Sequence, residues 1–541
     1  MGLGLFVAVL TTTLLTEAGY GVASDVGNYM DASLLQIEWA RDFIRSLFEG
    51  HPFTALEQDV VSEHWRSNLD RIPHPPLSRE LSGLGYLLFQ GVLDPVAAYR
   101  VPVMTAYAAL VAGCGILAAW GSRSWVAGAV AAGAALTLPA LFAHGHLANT
   151  DLFVTAFWFG AAASLYMYTE VGGRGWLLAA GIFLGSAAAT KFTGVLLLPA
   201  LLLWLVMRGH RDLKPMLGVL ASAGLVFFVV NPVMWVDPLQ GTWDYLRAGM
   251  FRSISVHIPT LYFGEVYSFR GPWHFPFVWT AIVIPIPLLV AMGLGLANKR
   301  TGRLRSLVLV NLGVIYGVTL LPATPLHDGI RLFLPALPFL CVLAGLGAAK
   351  AYSYVQTRVP EGTGHRHRLY ATAVVVAILA QPAVQTVRYH PHQLSYFNGL
   401  IGGVSGAYAR GLEVTTQKEA LNRKVLADLA REIPPGTVID PGFMLEEICV
   451  YQALGWAPRA WVPEMTLVLD QDERLYAGCL GPDSFLRVQL EREARQPTFL
   501  FVYQRYTMMQ RLDLSRIDLE EPPFYEVSLQ DVPLLSIYEV K

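Results

Sequence analysis

Seven ionisable side chains lie at the edges of the long apolar stretches of this sequence and not inside them. They are Asp25, His74, Asp151, Lys191, His327, Asp328 and Arg331. Carboxylates can accept protons and cations can bind anions, so this set could support proton transfer beside a bound anionic group. The apolar stretches between residues 101 and 386 carry no Lys, Arg, Asp or Glu in their middle. We therefore expect a substrate with one apolar end held in lipid and one polar end outside it.

The composition is typical of a membrane protein. Of the 541 residues, 54% are hydrophobic and 15% are charged, whereas soluble domains carry about 45–50% apolar and about 25% charged residues. Acidic residues outnumber basic ones by 41 to 39, and no basic stripe with interleaved aromatic residues occurs, which argues against a nucleic-acid partner. The four cysteines lack zinc-binding spacing, so no metal and no cofactor are expected.

Apolar stretches of about 15–23 residues, long enough to cross a bilayer as helices, follow one another from Val101 onward. They lie at residues 101–119, 124–142, 151–169, 176–190, 193–207, 215–235, 276–297, 306–322, 332–349 and 369–386. The shorter run Gly2–Leu15 adds a first span, and a start upstream of Met1 stays open because no basic residue precedes Arg41. The sequence thus predicts a polytopic α-helical membrane protein with about eleven transmembrane helices.

The basic residues indicate the orientation. Residues 120–123, 170–175, 208–214, 298–305 and 350–368 together hold 13 basic residues, whereas the short loops on the opposite side hold five, namely Lys191, Arg247, Arg252, Arg270 and Arg331. Cytoplasmic loops carry the excess of Lys and Arg, so the first set is predicted to be cytoplasmic. The chain would then lie in the cell (inner or plasma) membrane, with everything after Arg388 outside.

Two large segments are predicted on the outer face. The loop 17–100 is part of a transmembrane domain at residues 1–389, and residues 390–541 form an extracytoplasmic α/β domain. In this second domain, residues 418–432 have helical periodicity, and residues 498–503 and 534–540 are rich in strand-forming residues. Within the loop, apolar residues from Leu34 to Phe48 share one helical face, which predicts a helix in the plane of the membrane interface.

Six short strings follow one another on the predicted outer side. They are Ser24-Asp25, His74-Pro75-Pro76-Leu77, Asn149-Thr150-Asp151, Thr190-Lys191-Phe192-Thr193-Gly194, His327-Asp328-Gly329-Ile330-Arg331, and the run from Pro391 to Asn398 followed by Gly402-Gly403. Each string alone is weak evidence. Their order resembles that of the GT-C membrane glycosyltransferases of glycosyltransferase family 39, which include protein O-mannosyltransferases and aminoarabinose transferases. The resemblance covers roughly residues 1–410.

This resemblance implies an enzyme that moves a sugar from a polyprenyl-phosphate-linked donor to a hydroxyl, amine or phosphate acceptor of a lipid, glycan or protein. Asp25 would be the base, and a single displacement would invert the anomeric carbon. Lys191 and Arg331 would hold the leaving phosphate. Asp151 would orient the site, with His74 and His327 assisting in substrate binding.

The chain departs from the family pattern at two places. The first outer loop of the family usually begins with an Asp-Glu pair, whereas Asp25 is followed here by Val26. The family often has Asp-Trp-Gly-Gln after the string that ends at Gly403, whereas this chain has Glu413-Val414-Thr415-Thr416-Gln417. The first change leaves the proposed base intact, and the second affects the acceptor side.

Other polar and aromatic residues have simpler interpretations. His144 and His146 flank a short loop near Asp151, but such a pair is too common to predict a metal site. Cys449 and Cys479 either form a bridge or lie in the outer domain by coincidence. Four tryptophans predict an interfacial belt, with sugar stacking as the alternative: Trp235, Trp243, Trp273 and Trp279.

A polytopic transporter or lipid flippase is the alternative function. Such a protein would share the hydropathy but would carry polar residues along a path through its spans. A third alternative, a scaffold that presents the C-terminal domain, would not require the polar strings on the outer face. The sequence favours the glycosyltransferase.

Overall fold

The computed structural model describes residues 2–51, 53–66, 74–209, 214–250, 258–358, 364–458, 461–463, 498–510 and 512–541. Cys449 is buried and has no disulfide partner among the described residues. Cys479 lies outside the described residues, so the question of a bridge between the two stays open.

The first part of the chain contains α1 (Gly2–Thr16), α2 (Val26–Glu49), α3 (Gln58–Val61) and α4 (Leu77–Phe89). Helix α2 buries Tyr29 and Trp39, whereas Ile44, Leu47 and Phe48 of the predicted apolar face are 50% or more exposed. An exposed apolar stripe of this kind suits a membrane interface, and the interfacial location stays a prediction.

The next helices are α5 (Pro95–Ser122), α6 (Trp125–Thr137), α7 (Pro139–His144), α8 (Thr150–Val171), α9 (Arg174–Thr190), α10 (Leu197–Met207), α11 (Lys214–Val229), α12 (Pro232–Val236), α13 (Pro238–Met250), α14 (Phe275–Val283), α15 (Ile286–Leu296), α16 (Gly302–Thr319), α17 (Ala336–Gln356) and α18 (Gly364–Arg388). Among the described residues, five segments are long and apolar enough to cross a membrane, namely Gly2–Gly19, Pro95–Ser122, Thr150–Val171, Ala336–Gln356 and Arg368–Arg388. The chain is therefore a multi-pass membrane protein, and the figure of eleven spans stays a prediction.

The predicted span at residues 276–297 is not one continuous helix. It consists of α14 and α15, which are bent by 118° relative to each other. Ile284 between them is extended and is followed by Pro285. Proline has no backbone N–H and disfavours helical geometry at the residue before it, so the helix ends at Val283. Counted as one broken span, the pair raises the number of candidate spans in the described chain to six.

Helix α17 is the central helix of the transmembrane region, since its residues Ala336–Ala349 are all buried. It packs against α6 and α15. Glycines permit this close contact: a Cβ placed on Gly347 would lie 1.8 Å from the carbonyl oxygen of Ala291 in α15. Small residues let membrane helices approach backbone to backbone, which increases their van der Waals contact.

The described strands belong to two sheets. Strands β1 (Thr260–Tyr262) and β2 (Glu265–Tyr267) form an antiparallel pair. The second sheet contains β3 (Val438–Asp440), β4 (Val462–Pro463), β5 (Phe499–Tyr503), β6 (Tyr525–Leu529) and β7 (Val532–Glu539), in the order β4-β3-β5-β7-β6. Strand β3 is parallel to β4 and β5, whereas β7 is antiparallel to β5 and β6.

Helices accompany this second sheet, so the predicted mixed α/β character of the C-terminal region is confirmed. They are α19 (Gly403–Ala409), α20 (Arg423–Glu432), α21 (Leu445–Ala453) and the short α22 (Tyr506–Met509). The domain boundary at residue 390 stays a prediction.

The helix predicted at residues 418–432 begins only at Arg423, so the prediction is wrong for residues 418–422. Asn422 caps the helix, because its side-chain oxygen accepts from the backbone N–H groups of Lys424 and Val425, both at 3.1 Å. Lys418 has a positive φ of 61°, which a helix does not accommodate. Residues 418–422 therefore lie outside the helix, and the Glu419 carbonyl accepts a hydrogen bond from the backbone N–H of Gly21.

Candidate active site

Four predicted site residues lie on four different elements. Asp25 immediately precedes α2, and Asp151 is in the first turn of α8. Lys191 follows the last residue of α9, and Arg331 lies in the loop before α17. Because α8 packs against both α9 and α17, the ends of these helices meet at one place.

The four side chains form one ion-pair cluster. Lys191 Nζ lies 2.6 Å from Asp151 Oδ1, and Arg331 Nε lies 2.7 Å from Asp151 Oδ2. Arg331 Nη2 lies 3.0 Å from Asp25 Oδ2. Arg331 thus joins the beginning of α2 to the beginning of α8.

Asp151 is held from several sides. Its backbone N–H donates to the side-chain oxygen of Asn149 at 3.1 Å, and its carbonyl oxygen accepts from Thr155 Oγ1 at 2.7 Å. The helix dipole stabilises a negative charge in the first turn of a helix. With two cations on its carboxylate and only 1% of the residue exposed, Asp151 is a fixed structural anion at the end of a spanning helix.

Asp25 differs from Asp151 in its exposure. Its side chain is 46% exposed, whereas that of Asp151 is 2% exposed. Asp25 has a positive φ of 69°, and its side chain makes no helix-capping hydrogen bond. The carboxylate instead points to Arg331 and remains open to solvent, so a simple helix-capping role does not describe it.

Asp328 and His327 join the same cluster. Asp328 Oδ2 lies 3.1 Å from Arg331 Nη1 and 3.1 Å from His327 Nδ1. Burial alone would raise the pKa of Asp328, but Arg505, His327 and Arg331 bring it well below its usual value. Burial lowers the pKa of His327 in spite of the neighbouring carboxylate of Asp328.

Two residues from the C-terminal region, Arg505 and Glu413, complete the cluster, and no pattern in the sequence predicted either role. Arg505, two residues after the end of β5, has Nη2 2.7 Å from Asp328 Oδ1 and Nε 3.4 Å from Glu413 Oε2. Glu413 also accepts from Thr507 Oγ1 at 2.6 Å and from Thr260 Oγ1 at 3.3 Å. The one sequence feature that pointed to this segment was the departure from the family pattern at residues 413–417, which begins at Glu413.

The segment around Gln417 also supports the backbone before Asp25. The N–H of Ser24 donates to the Gln417 carbonyl at 2.9 Å, and the N–H of Gly21 donates to the Glu419 carbonyl at 3.4 Å. The N–H of Val22 donates to Tyr451 Oη at 2.6 Å. The C-terminal region therefore helps to fix the position of Asp25.

A cleft that reaches the charged cluster is lined by charged, neutral polar, aromatic and aliphatic residues. Its lining includes His144, Trp279, Asp328, Arg331, Gln393, Glu413 and Gln417. Gln417 is 1% exposed, and its amide has no hydrogen-bond partner among the described residues. The predicted interfacial belt is wrong for Trp279, which is 3% exposed and faces this cleft, whereas Trp243 and Trp273 are more than half exposed.

His74 lies just before α4 and is 5% exposed. Its carbonyl oxygen accepts a hydrogen bond from Arg79 Nη1 at 3.1 Å. Its part in organising the site stays a prediction.

The two histidines near Asp151, His144 and His146, differ in their contacts. His146 bonds through both ring nitrogens, to the Phe142 carbonyl at 2.7 Å and to Thr16 Oγ1 at 2.9 Å. His144 lines the cleft instead. Within the described part of the chain, no group of three or more His, Cys, Asp or Glu residues could hold a metal ion.

Comparison with known proteins agrees with the family resemblance. Residues 74–235 match the family described as dolichyl-phosphate-mannose-protein mannosyltransferase. No curated protein matches the chain significantly.

Two solved structures share the fold over almost the full length of the chain. They are ArnT from Cupriavidus metallidurans in the apo state, with 16% identity and a TM-score of 0.52, and the same protein bound to undecaprenyl phosphate, with 15% identity and a TM-score of 0.50. In both cases the match covers 99% of this chain and 97% of the other. The resemblance to glycosyltransferase family 39 is thus confirmed, since residues 74–235 match its mannosyltransferase family and the whole chain has the ArnT fold.

Proposed function

We propose that this protein transfers a sugar from a polyprenyl-phosphate-linked donor to an acceptor at the outer face of the membrane. The observation that carries the proposal is the Asp25–Arg331–Asp151–Lys191 cluster at the ends of membrane helices, with one carboxylate open to solvent. A lipid-linked donor would place its phosphate at this depth while its tail stays in lipid. The family match and the relative that binds undecaprenyl phosphate support this chemistry.

In the proposed reaction Asp25 is the general base. It takes the proton from the acceptor group while the acceptor atom attacks the anomeric carbon. The bond between that carbon and the phosphate oxygen breaks, so the polyprenyl phosphate leaves with the bonding electrons. One displacement inverts the configuration, since no covalent sugar–enzyme bond is formed.

Lys191 and Arg331 would stabilise the negative charge of the departing phosphate. A guanidinium has five N–H donors, and the contacts of Arg331 with Asp25, Asp151 and Asp328 use three of its nitrogen positions. Because each Nη carries two hydrogens, two N–H groups remain for a ligand. Donors held in place before the reaction stabilise developing charge without reorganisation.

The cleft with Gln417 and Trp279 is suited to the sugar. A buried amide without a partner costs about 1–3 kcal/mol, and sugar hydroxyls could supply the missing hydrogen bonds of Gln417. Asp151 would orient the two cations, and His327 and His74 would complete the substrate site.

The alternative of a transporter or flippase is less well supported. A coupled transporter is expected to carry its charged residues near the middle of its spans. Asp151 lies in the first turn of α8, and Lys191 follows the end of α9. This placement at helix ends suits chemistry at the membrane boundary.

The Asp25→Asn variant tests the proposal. The amide keeps the size of the side chain but cannot accept a proton at neutral pH, so we expect turnover to fall about 10²–10⁴-fold. Mass spectrometry of envelope glycans and glycoproteins, from cells with the unmodified chain, without it, and with the variant, would measure transfer.

Asp42→Asn is the matched control, because Asp42 lies on α2, the helix that Asp25 precedes, and its side chain is 53% exposed. It should transfer normally. Wild-type transfer by Asp25→Asn at equal protein level would show that the base lies elsewhere. Envelope glycans that do not depend on the chain at all would contradict the proposed function.

A further inference from the structure

Arg505 is a buried cation that reaches from the C-terminal sheet to the membrane-boundary cluster. It is 3% exposed. Its Nη2 contacts Asp328 Oδ1 at 2.7 Å, and its Nε faces Glu413 Oε2 at 3.4 Å. A third contact, from Nη2 to the carbonyl oxygen of Pro259, measures 3.5 Å. One guanidinium therefore joins the C-terminal sheet, the segment at Glu413 and the loop before α17.

Asp328 is shared between two arginines. Arg505 occupies its Oδ1, and Arg331 lies 3.1 Å from its Oδ2. Arg331 also holds Asp25 and Asp151. Without Arg505, Arg331 would be the sole arginine for three carboxylates, namely Asp25, Asp151 and Asp328.

The charge balance of the cluster gives Arg505 a second effect. Four carboxylates, Asp25, Asp151, Asp328 and Glu413, face three cations, Lys191, Arg331 and Arg505. The formal net charge is −1, and loss of Arg505 would make it −2. Charges interact strongly in a buried site, so the more negative cluster would disfavour a bound phosphate.

We propose that Arg505 is a positioning residue for the donor phosphate, through which the C-terminal region completes the membrane-boundary site. It neutralises Asp328 and so leaves the free N–H groups of Arg331 available to the phosphate. This inference rests on the proposed function, because it takes the polyprenyl phosphate as the ligand. Arg505 itself need not touch the donor.

Binding of two lipids to the full-length chain in nanodiscs tests the inference. Undecaprenyl phosphate carries the charge in question, and undecaprenol has the same tail without it. For Arg505→Gln we expect binding of undecaprenyl phosphate to weaken about tenfold, with undecaprenol unchanged. A purely structural defect would weaken both lipids alike.

Arg505→Lys is the second variant, in case the glutamine variant does not fold. An ammonium lacks the planar fork that contacts two carboxylates at once, so we expect weakening of about threefold in undecaprenyl phosphate binding. Arg516→Gln is the matched control. It removes an ion pair with Asp440 at 3.2 Å in the same C-terminal region, outside the cluster, and should bind like the unmodified chain.

The outcomes separate the two proposals. If the folded Arg505 variants bind undecaprenyl phosphate as the unmodified chain does, Arg505 has no positioning role, while the proposed function stands. If the variants bind both lipids more weakly to the same degree, the effect is structural and the inference is wrong. If the unmodified chain binds the lipid phosphate but transfers no sugar, the proposed function fails and the inference about the phosphate survives.

Discussion

A single guanidinium, that of Arg331, contacts three carboxylates that differ sharply in exposure. The side chain of Asp25 is 46% exposed, whereas those of Asp151 and Asp328 are 2% and 3% exposed. In the proposed reaction, the exposed carboxylate of Asp25 is the one that can meet an acceptor arriving from water. The two buried carboxylates can instead fix the direction of the guanidinium, because Asp151 is held in the first turn of α8 by Lys191 and Asp328 is held by Arg505.

Glu419, in the segment that supports the backbone before Asp25, should make stability depend on pH. Burial raises the pKa of Glu419 to about 7, although backbone N–H groups lower it. Its pKa in the unfolded chain is about 4.3. The folded protein thus binds this proton more tightly, so the contribution of Glu419 to stability is fully present below about pH 4 and is lost as the pH rises to about 7.

Glu419→Gln should therefore stabilise the protein at pH 8 relative to the unmodified chain, by up to about 3 kcal/mol. The difference in stability between the variant and the unmodified chain should shrink toward pH 5, where Glu419 is protonated in the folded protein. Thermal unfolding in detergent at both pH values would measure it. A gap between the melting temperatures that does not change with pH would contradict the raised pKa.

Helix positions were largely predictable from the sequence, whereas the break at Pro285 and the start of α20 were not. Hydropathy gave residues 151–169 for a helix that spans Thr150–Val171, because a run of apolar residues is a local property. Asp25, Asp151, Lys191 and Arg331 were found because they lie at span ends. The sequence did not predict that Arg505 and Glu413 belong to the cluster. Packing between distant parts of the chain brings them to Asp328, and a local sequence pattern carries no signal of such packing.

The contact between α15 and α17 depends on the absence of a side chain at Gly347. Gly347→Ala should destabilise the protein by about 1–3 kcal/mol, because the new Cβ would meet the Ala291 carbonyl oxygen. Gly293→Ala on α15 is the control, since a Cβ there meets nothing within 4 Å. Fluorescence-detected size-exclusion chromatography after heating would compare them. Equal melting temperatures for the two variants would show that the helices can separate at no cost.

For the molecule as a whole, the proposed chemistry requires a fixed orientation in the membrane. The cluster and residues 390–541 should face the outside, because the loops rich in Lys and Arg are predicted to be cytoplasmic. A cysteine at the exposed Ser515 should react with a membrane-impermeant maleimide on intact cells. A cysteine at the exposed Lys299 should react only after the membrane is opened.

The native cysteines give a low background for this experiment, since Cys114, Cys341 and Cys449 are buried. Cys479→Ser removes the fourth. If Lys299→Cys but not Ser515→Cys is labelled on intact cells, the topology is the opposite of the predicted one. The proposed reaction at the outer face would then lose its basis.

The dependence of Asp328 on Arg505 also has a consequence in time. A ribosome adds residues in order, so Asp25, Asp151, Lys191 and Arg331 all emerge before Arg505. While the chain is still being synthesised, Asp328 lacks its second arginine, and the backbone before Asp25 lacks its partners at Gln417 and Glu419. A nascent chain that has already inserted its helices would therefore have an incomplete site, and the proposed sugar transfer would reach its full rate only after the last part of the protein has been made and has docked.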